Sequence, residues 1–204
     1  MIDLYTWGTP NGQKVSVMLE ELGLDYTAHP INIMQNDQFT PEFLAINPNN
    51  KIPAIVDSDG PITVFESGAI LMYLAEKVGS NLLPSSGPER YATLQWLMLQ
   101  MGGVGPMFGQ VHHFYKFAKE DVPYAKKRYS DEMHRLYGVL DKRLGEVEYL
   151  SGADYSIADI AMYPWVARHE WHPSDLNDFC HVKRWYDSLS ERESVQRGMK
   201  VPNE

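Results

Sequence analysis

A run of turn formers, Gly79-Ser80-Asn81-Leu82-Leu83-Pro84-Ser85-Ser86-Gly87-Pro88, separates two stretches of chain with different hydrophobic periods. Before it, strand-like and helix-like patterns alternate. Ile2 to Thr6 suits a short strand, and the turn Gly8-Thr9-Pro10-Asn11-Gly12 follows. Val15, Met18, Leu19 and Leu22 then recur on one helical face, which Gly23 ends. Tyr26 to Ile33 reads as a second strand, and Phe39 to Ile46 as a short helical or irregular connection. Pro53 to Val56 and Ile62 to Phe65 flank the hairpin turn Asp57-Ser58-Asp59-Gly60. Ser67 opens a helix with Ile70, Tyr73, Leu74 and Val78 on one side. The order is β-α-β-α-β-β-α. From Glu89 onward no stretch reads as a strand. Tyr91 to Met101, Tyr124 to Leu144, Ile157 to Trp165 and Val182 to Leu189 carry helical patterns, the first interrupted at Gly102-Gly103-Val104-Gly105-Pro106. The expected architecture is an α/β domain over residues 1–78, a linker over 79–88 and an all-helical domain over 89–204.

The 204 residues are 44% hydrophobic and 22% charged, enough apolar content for a packed core. A formal charge of -9 disfavours a nucleic-acid partner, because phosphate binding needs clustered cations. The single cysteine, Cys180, excludes an internal disulfide, a multi-cysteine metal site and a Cys-x-x-Cys redox pair. No apolar run approaches the roughly 20 residues that span a bilayer, and the amino terminus carries no leader pattern. A cytoplasmic protein without membrane, nucleic-acid or metal partners is the expectation.

Three segments of the α/β half can carry chemistry. The turn Thr9-Pro10-Asn11-Gly12 precedes a helix, where unpaired N–H groups and the positive end of the dipole favour an anion or thiolate. Thr9 and Asn11 add a hydroxyl and an amide, although either could simply cap the helix. In Asn50-Lys51-Ile52-Pro53-Ala54 the proline interrupts the ladder, so Ile52 can offer its N–H and C=O to a peptide-like ligand, and Lys51 can meet a carboxylate. The plainer reading is an edge strand beside a solvated lysine. In Phe65-Glu66-Ser67-Gly68-Ala69-Ile70 a strand runs directly into a helix. Ser67 can donate to a carboxylate and Glu66 can accept from an ammonium, a pair suited to a free amino-acid end; a serine cap beside an exposed glutamate is the alternative.

In this order the three segments resemble the amino-terminal, thioredoxin-like domain of cytosolic glutathione transferases. The resemblance extends through the helical half. Ser156-Ile157-Ala158-Asp159 is similar to the family's capping box, whose role is structural. Thr-Pro-Asn-Gly with Gln38, Asn-Asn-Lys-Ile-Pro, Phe-Glu-Ser-Gly-Ala-Ile, Gly-Pro-Met with Gln110-Val111-His112-His113-Phe114, and Pro123-Tyr124-Ala125 with Arg128-Tyr129 look most like the bacterial nu class. The resemblance implies a glutathione transferase fold, a homodimer and glutathione as cosubstrate. Glu66 and Ser67 would then hold the γ-glutamyl end and Ile52 the cysteinyl backbone, before a cis Pro53. Thr9, Asn11 and Gln38 would add contacts, and a basic residue of a neighbouring subunit, Arg128 or its competitor Arg135, would join them.

A thiol of pKa about 8.5 is only slightly ionised at neutral pH, and each unit of depression takes about 1.4 kcal/mol of preferential thiolate stabilisation. Thr9, Asn11 and a helix start are the groups expected to supply it. Neither Thr9 nor Asn11 is a cysteine, and the first half holds none, so the sulfur nucleophile must come from the cosubstrate. The nu resemblance implies glutathione-dependent reduction of a small disulfide. A conventional transferase conjugating electrophiles, with Thr9 or Tyr5 as hydroxyl donor, and a non-enzymatic glutathione-binding module are the rivals. His112 and His113 read as structural or exposed rather than metal-binding, and Met98, Met101, Met107 and Phe108 as core before pocket. Glu20-Glu21 and Lys126-Lys127-Arg128 read as solvated faces, and Tyr5 as a packed strand residue.

Overall fold

The computed structural model describes residues 1–202. In chain order the elements are β1 (Ile2–Thr6), α1 (Pro10–Leu22), β2 (Tyr26–Pro30), α2 (Pro41–Ile46), β3 (Ala54–Asp57), β4 (Ile62–Phe65), α3 (Ser67–Val78), α4 (Gly87–Leu99), α5 (Gly105–His112), α6 (Pro123–Leu144), α7 (Ile157–Val166), α8 (Cys180–Ser190) and α9 (Glu193–Gly198). They form two units, Met1–Leu83 with Glu191–Glu204, and Pro84–Ser190.

The first unit is built on a four-stranded sheet of order β2-β1-β3-β4. β1 and β2 run parallel, as a strand-helix-strand crossover requires. β3 pairs antiparallel with both β1 and β4, and Asp57 faces Ile62 across the expected hairpin. β2 ends at Pro30, short of the expected Ile33, and the ladder of β3 starts at Ala54 because Pro53 has no N–H to contribute. Ile2, Leu4 and Ile55 of the sheet, Val15, Met18 and Leu19 of α1 and Ile70, Leu71 and Leu74 of α3 are all buried, and α1 packs on α3. Gly12 is required by close approach: a Cβ there would collide with Thr6 Oγ1 and the Trp7 carbonyl.

Placing all of 89–204 in the helical half needs correction, since Glu191 onward returns to the first unit. α9 packs on α1, where Ser16 Oγ donates to the Gly198 carbonyl at 2.7 Å and Gln13 Nε2 to the Met199 carbonyl at 2.8 Å. Arg192 adds a paired contact to Glu21, with both bonds at 2.8 Å. Glu20 and Glu21, expected to be a solvated face, instead anchor α9, Glu20 through Arg197 at 2.7 Å. The helices meet so closely that a Cβ on Gly198 would lie 2.5 Å from both Val17 Cα and Val17 N. Gly198→Val is therefore expected to destabilise the protein by about 1–3 kcal/mol through overpacking. Thermal unfolding checks it, and an unchanged midpoint would mean that α9 does not hold the unit together.

The second unit is helical, and its described residues contain only an isolated bridge between Tyr149 and Gly152 in place of any strand. Gln100–Val104 forms a π-helical turn just before Pro106, the first turn of α5. The wider turn keeps the chain helical where a proline ring would crowd the preceding carbonyls. Every residue of α7 is buried, as befits a helix apolar on all sides. The capping box is present: Ser156 N donates to Asp159 Oδ2 at 3.1 Å, and Ser156 Oγ accepts from Ala158 N at 3.2 Å. His112 is structural, as expected, sharing a proton with His172 across 2.9 Å and stacking on Trp165. Burial pushes these imidazoles down, His112 to about 4 and His172 to about 3, so both stay neutral. No helix among the described residues is long and apolar enough to cross a membrane.

Candidate functional site

In the first unit a cavity of about 160 Å³ is lined by Asn11, Asn47, Lys51, Ile52, Pro53, Glu66 and Ser67. Asn11 comes from the first turn of α1. No acidic residue occupies the first turn of α1, so its positive end stands uncompensated, whereas Glu66 sits at the cap of α3. Thr9 is the helix cap that the plainer reading anticipated: its Oγ1 accepts from Gly12 N at 3.4 Å. It does not line the cavity.

The loop from Asn47 to Pro53 forms a second wall. Asn47 is buried and clamps it, accepting from Asn49 N at 2.9 Å and donating to the Lys51 carbonyl at 2.6 Å. The Ile52–Pro53 peptide bond is cis, as the resemblance implied. No described residue takes up the Ile52 N–H or C=O by a hydrogen bond, so both are available to a peptide.

The third wall is the junction between β4 and α3. Glu66, alone between the two elements, has φ 71° and ψ 113°, outside the regions that a side-chain-bearing residue prefers. Such a conformation costs of order 1–3 kcal/mol and persists where the surroundings demand it. It leaves the carboxylate exposed while Ser67 is buried at the start of α3. Behind Ser67 lies Lys14, 1% exposed, with Nζ 3.1 Å from Ser67 Oγ. Burial pushes the Lys14 ammonium down to about 7, with the charge of Glu66 acting in the opposite direction.

Asn11, Lys51, Ile52, Pro53, Glu66 and Ser67 thus converge, while Gln38 and Arg128 are not among the residues lining this cavity. Gln38 lies in the 3-10 turn Asp37–Phe39, and its Oε1 is buried without a hydrogen-bond partner. Arg128 lines a larger cavity of about 650 Å³ in the helical unit, with Met107, Tyr124 and Arg135. There Glu132 takes two bonds from Arg135, at 2.7 and 2.8 Å, whereas Arg128 makes no hydrogen bond to a described residue. Met107 therefore faces a cavity, while Phe108 is buried in the core. Tyr5 is a packed strand residue, its ring stacked on His29 at 4.8 Å. Asp141, Cys180 and His181 bring possible ligand atoms within 4.8 Å of one another, but Asp141 Oδ1 already caps α8 by accepting from His181 N and Val182 N.

Sequence reasoning missed Asn47 and Lys14. Asn47 opens Asn47-Pro48-Asn49, where an asparagine that bonds two residues ahead is a common turn device. Lys14 stands four residues before Met18 on the buried stripe of α1, an unusual place for a charge.

The sequence profile of the glutathione S-transferase N-terminal domain matches residues 9–77, and that of the C-terminal domain matches residues 104–193. The chain belongs to the glutathione S-transferase family. The chain is 50% identical over 204 residues to the disulfide-bond oxidoreductase YfcG of Escherichia coli, covering 98% of this chain and 94% of that one. It superposes with a TM-score of 0.93 on a Burkholderia graminis glutathione transferase crystallised with two glutathione molecules per subunit, at 47% identity, covering 99% and 88% of the two chains. A Pseudomonas putida glutathione transferase with one glutathione disulfide bound per subunit matches at TM-score 0.94 and 48% identity, covering 99% and 92%.

Proposed function

We propose that this protein is a glutathione-dependent disulfide-bond reductase. The carrying observation is the meeting of Asn11, the free Ile52 main chain, Glu66 and Ser67 in one cavity, within a unit that holds no cysteine. Glu66 accepts from the γ-glutamyl ammonium, Ser67 donates to its carboxylate, and Ile52 pairs with the cysteinyl backbone. Lys51 meets the remaining carboxylate. Asn11 and the start of α1 stabilise the thiolate, and Thr9, which still has its hydroxyl proton to give, assists.

The first glutathione thiolate attacks one sulfur of the substrate disulfide, forming a mixed disulfide and expelling a substrate thiolate. A second glutathione thiolate attacks the glutathione sulfur of that mixed disulfide, forming glutathione disulfide and releasing the second substrate thiolate. Two thiols are oxidised, one disulfide is reduced, and solvent protonates the products. YfcG is a disulfide-bond oxidoreductase, and relatives hold two glutathiones or one glutathione disulfide per subunit, which supports this reading over conjugation.

Gln38, with its unpartnered Oε1, and Arg128, whose charge faces a cavity it shares with Glu132, are proposed as further glutathione contacts, Arg128 from a second copy in a homodimer. Exposed Phe65, Tyr91 and Met98 supply apolar surface for such an assembly. A reducing compartment, the cytoplasm, suits a protein whose cosubstrate must be reduced.

Turnover of 2-hydroxyethyl disulfide is expected to exceed conjugation of a chlorinated aromatic. Thr9→Ala and Asn11→Ala are each expected to lower kcat/KM by roughly tenfold and to raise the pKa seen in its pH profile. Steady-state rates decide between the readings: conjugation well above reduction would replace this one with conventional transferase chemistry.

A further inference from the structure

Being alone, Cys180 excludes a multi-cysteine metal site but leaves a site of mixed donors open. It is the first residue of α8, His181 follows it, and Asp141 stands in the last turn of α6. Cys180 is exposed and the other two are half-buried, and one ligand atom from each of the three lies within 4.8 Å of the others. The disulfide chemistry proposed above uses none of them.

The two helix ends that carry these groups are tied together. Asp141 Oδ1 accepts from His181 N at 2.8 Å and Val182 N at 3.0 Å, which orients the carboxylate and occupies only one of its oxygens. The Arg184 guanidinium of α8 donates to the Leu144 carbonyl at the end of α6, at 2.9 Å, and to the Val147 carbonyl beyond it, at 3.2 Å. Gly145 makes room for the imidazole, since a Cβ there would lie 3.0 Å from both Cδ2 and Nε2 of His181. Asp141 Oδ2, the Cys180 thiol and the ring nitrogens of His181 form no hydrogen bond with a described residue.

This donor set selects the ion. Magnesium and calcium take oxygen ligands, whereas a thiolate, an imidazole and a carboxylate together suit Zn2+. Zinc binds them at about 2.3, 2.0–2.1 and 2.0–2.2 Å, which in tetrahedral geometry spaces the ligand atoms about 3.3–3.6 Å apart. Side-chain rotation of the exposed Cys180 and of His181 supplies the remaining distance of about 1 Å or less without moving either helix. The positive end of α8 disfavours a bare cation, but one thiolate and one carboxylate leave the occupied site neutral.

We propose that Asp141, Cys180 and His181 form a site for one Zn2+ ion, which clips the first turn of α8 to the last turn of α6. As the Zn–S bond forms, the Cys180 thiol gives its proton to solvent; the imidazole binds through a lone pair, the carboxylate through Oδ2, and water fills the fourth position. Nothing is oxidised or reduced. Without a protein partner to orient the His181 ring from its other nitrogen, affinity falls in the micromolar rather than the nanomolar range.

The full-length protein, stripped by a chelator and kept free of glutathione, is titrated with Zn2+ by calorimetry and with Co2+ by absorbance. One ion per chain, a thiolate-to-Co2+ charge-transfer band and an unfolding midpoint raised by several degrees in saturating Zn2+ are the expected results. Cys180→Ser is expected to abolish the band. Cys180→Ser and His181→Gln are each expected to weaken Zn2+ binding at least about 10- to 100-fold, the loss that removing an outer-sphere partner alone causes. Asp141→Asn, which keeps the Oδ1 acceptor that caps α8, is expected to weaken it about tenfold or more. The wild-type band needs no variant to fold, and metal-free unfolding curves verify that the variants do. Absence of the band, or equal Zn2+ affinity in Cys180→Ser and His181→Gln, overturns the site. Neither result bears on the glutathione cavity, which stands or falls separately.

Discussion

Lys14→Met is expected to gain on the wild-type protein in stability as the pH falls from about 10 to about 6, by up to about 5 kcal/mol over that range. A lysine of ordinary pKa 10.5 that is held to about 7 in the fold keeps its charge there only at a cost of about 1.4 kcal/mol per unit. Below that lowered value the folded protein carries the whole penalty. Between it and the ordinary value the unfolded chain binds more protons than the folded one, so wild-type stability rises with pH as Lys14 is neutralised. The variant lacks this contribution. Its stability relative to wild type is therefore highest in acid and falls toward about pH 10. Urea unfolding of both proteins at about pH 6 and about pH 9.5 measures the difference, and a difference that did not change with pH would show that Lys14 is not the titrating group.

Asp159→Ala is expected to cost about 3–5 kcal/mol, because it strands donors inside the helical unit. Asp159 is completely buried. Its carboxylate accepts from Leu150 N at 2.9 Å, Ser156 N at 3.1 Å, Ser156 Oγ at 3.0 Å and Trp185 Nε1 at 2.9 Å. One side chain therefore ties the start of α7 to the preceding loop and to α8. Alanine leaves all four donors unpaired where water cannot reach them, and opens a hole beside Trp185. Near-ultraviolet circular dichroism with urea unfolding reads this directly. A loss below about 1 kcal/mol would mean that the capping box is decoration and that apolar packing alone holds α7.

How legible all this was in the sequence depended on whether the cause was local. The hairpin at Asp57–Gly60 and the limits of α1 and α3 follow from glycine, proline and cap residues that act within one turn, and the structure places them as expected. That the Ile52 and Glu66 segments would line one cavity was legible because turn chemistry and helix starts brought them out. α9 was not legible: six residues without an apolar stripe are held by α1 across most of the chain, through Gly198, Ser194 and Arg192. Lys14 was hidden for the opposite reason. Its helix was correctly placed, but a lysine reads as surface until the neighbours that bury it are known. Glu66 stood out as a candidate ligand group, whereas its left-handed backbone is a tertiary outcome of joining β4 to α3 without a spare residue.

The return of the chain end to α1 makes the helical unit an insertion between two pieces of a single fold. During synthesis the segment that completes the glutathione-binding half leaves the ribosome after the entire helical half, so the order of manufacture runs against the order of the domains. A fragment cut at the linker would carry the strands and the cavity residues but would bare Ser16 and Val17, and supplying α9 as a separate peptide would be the way to restore it.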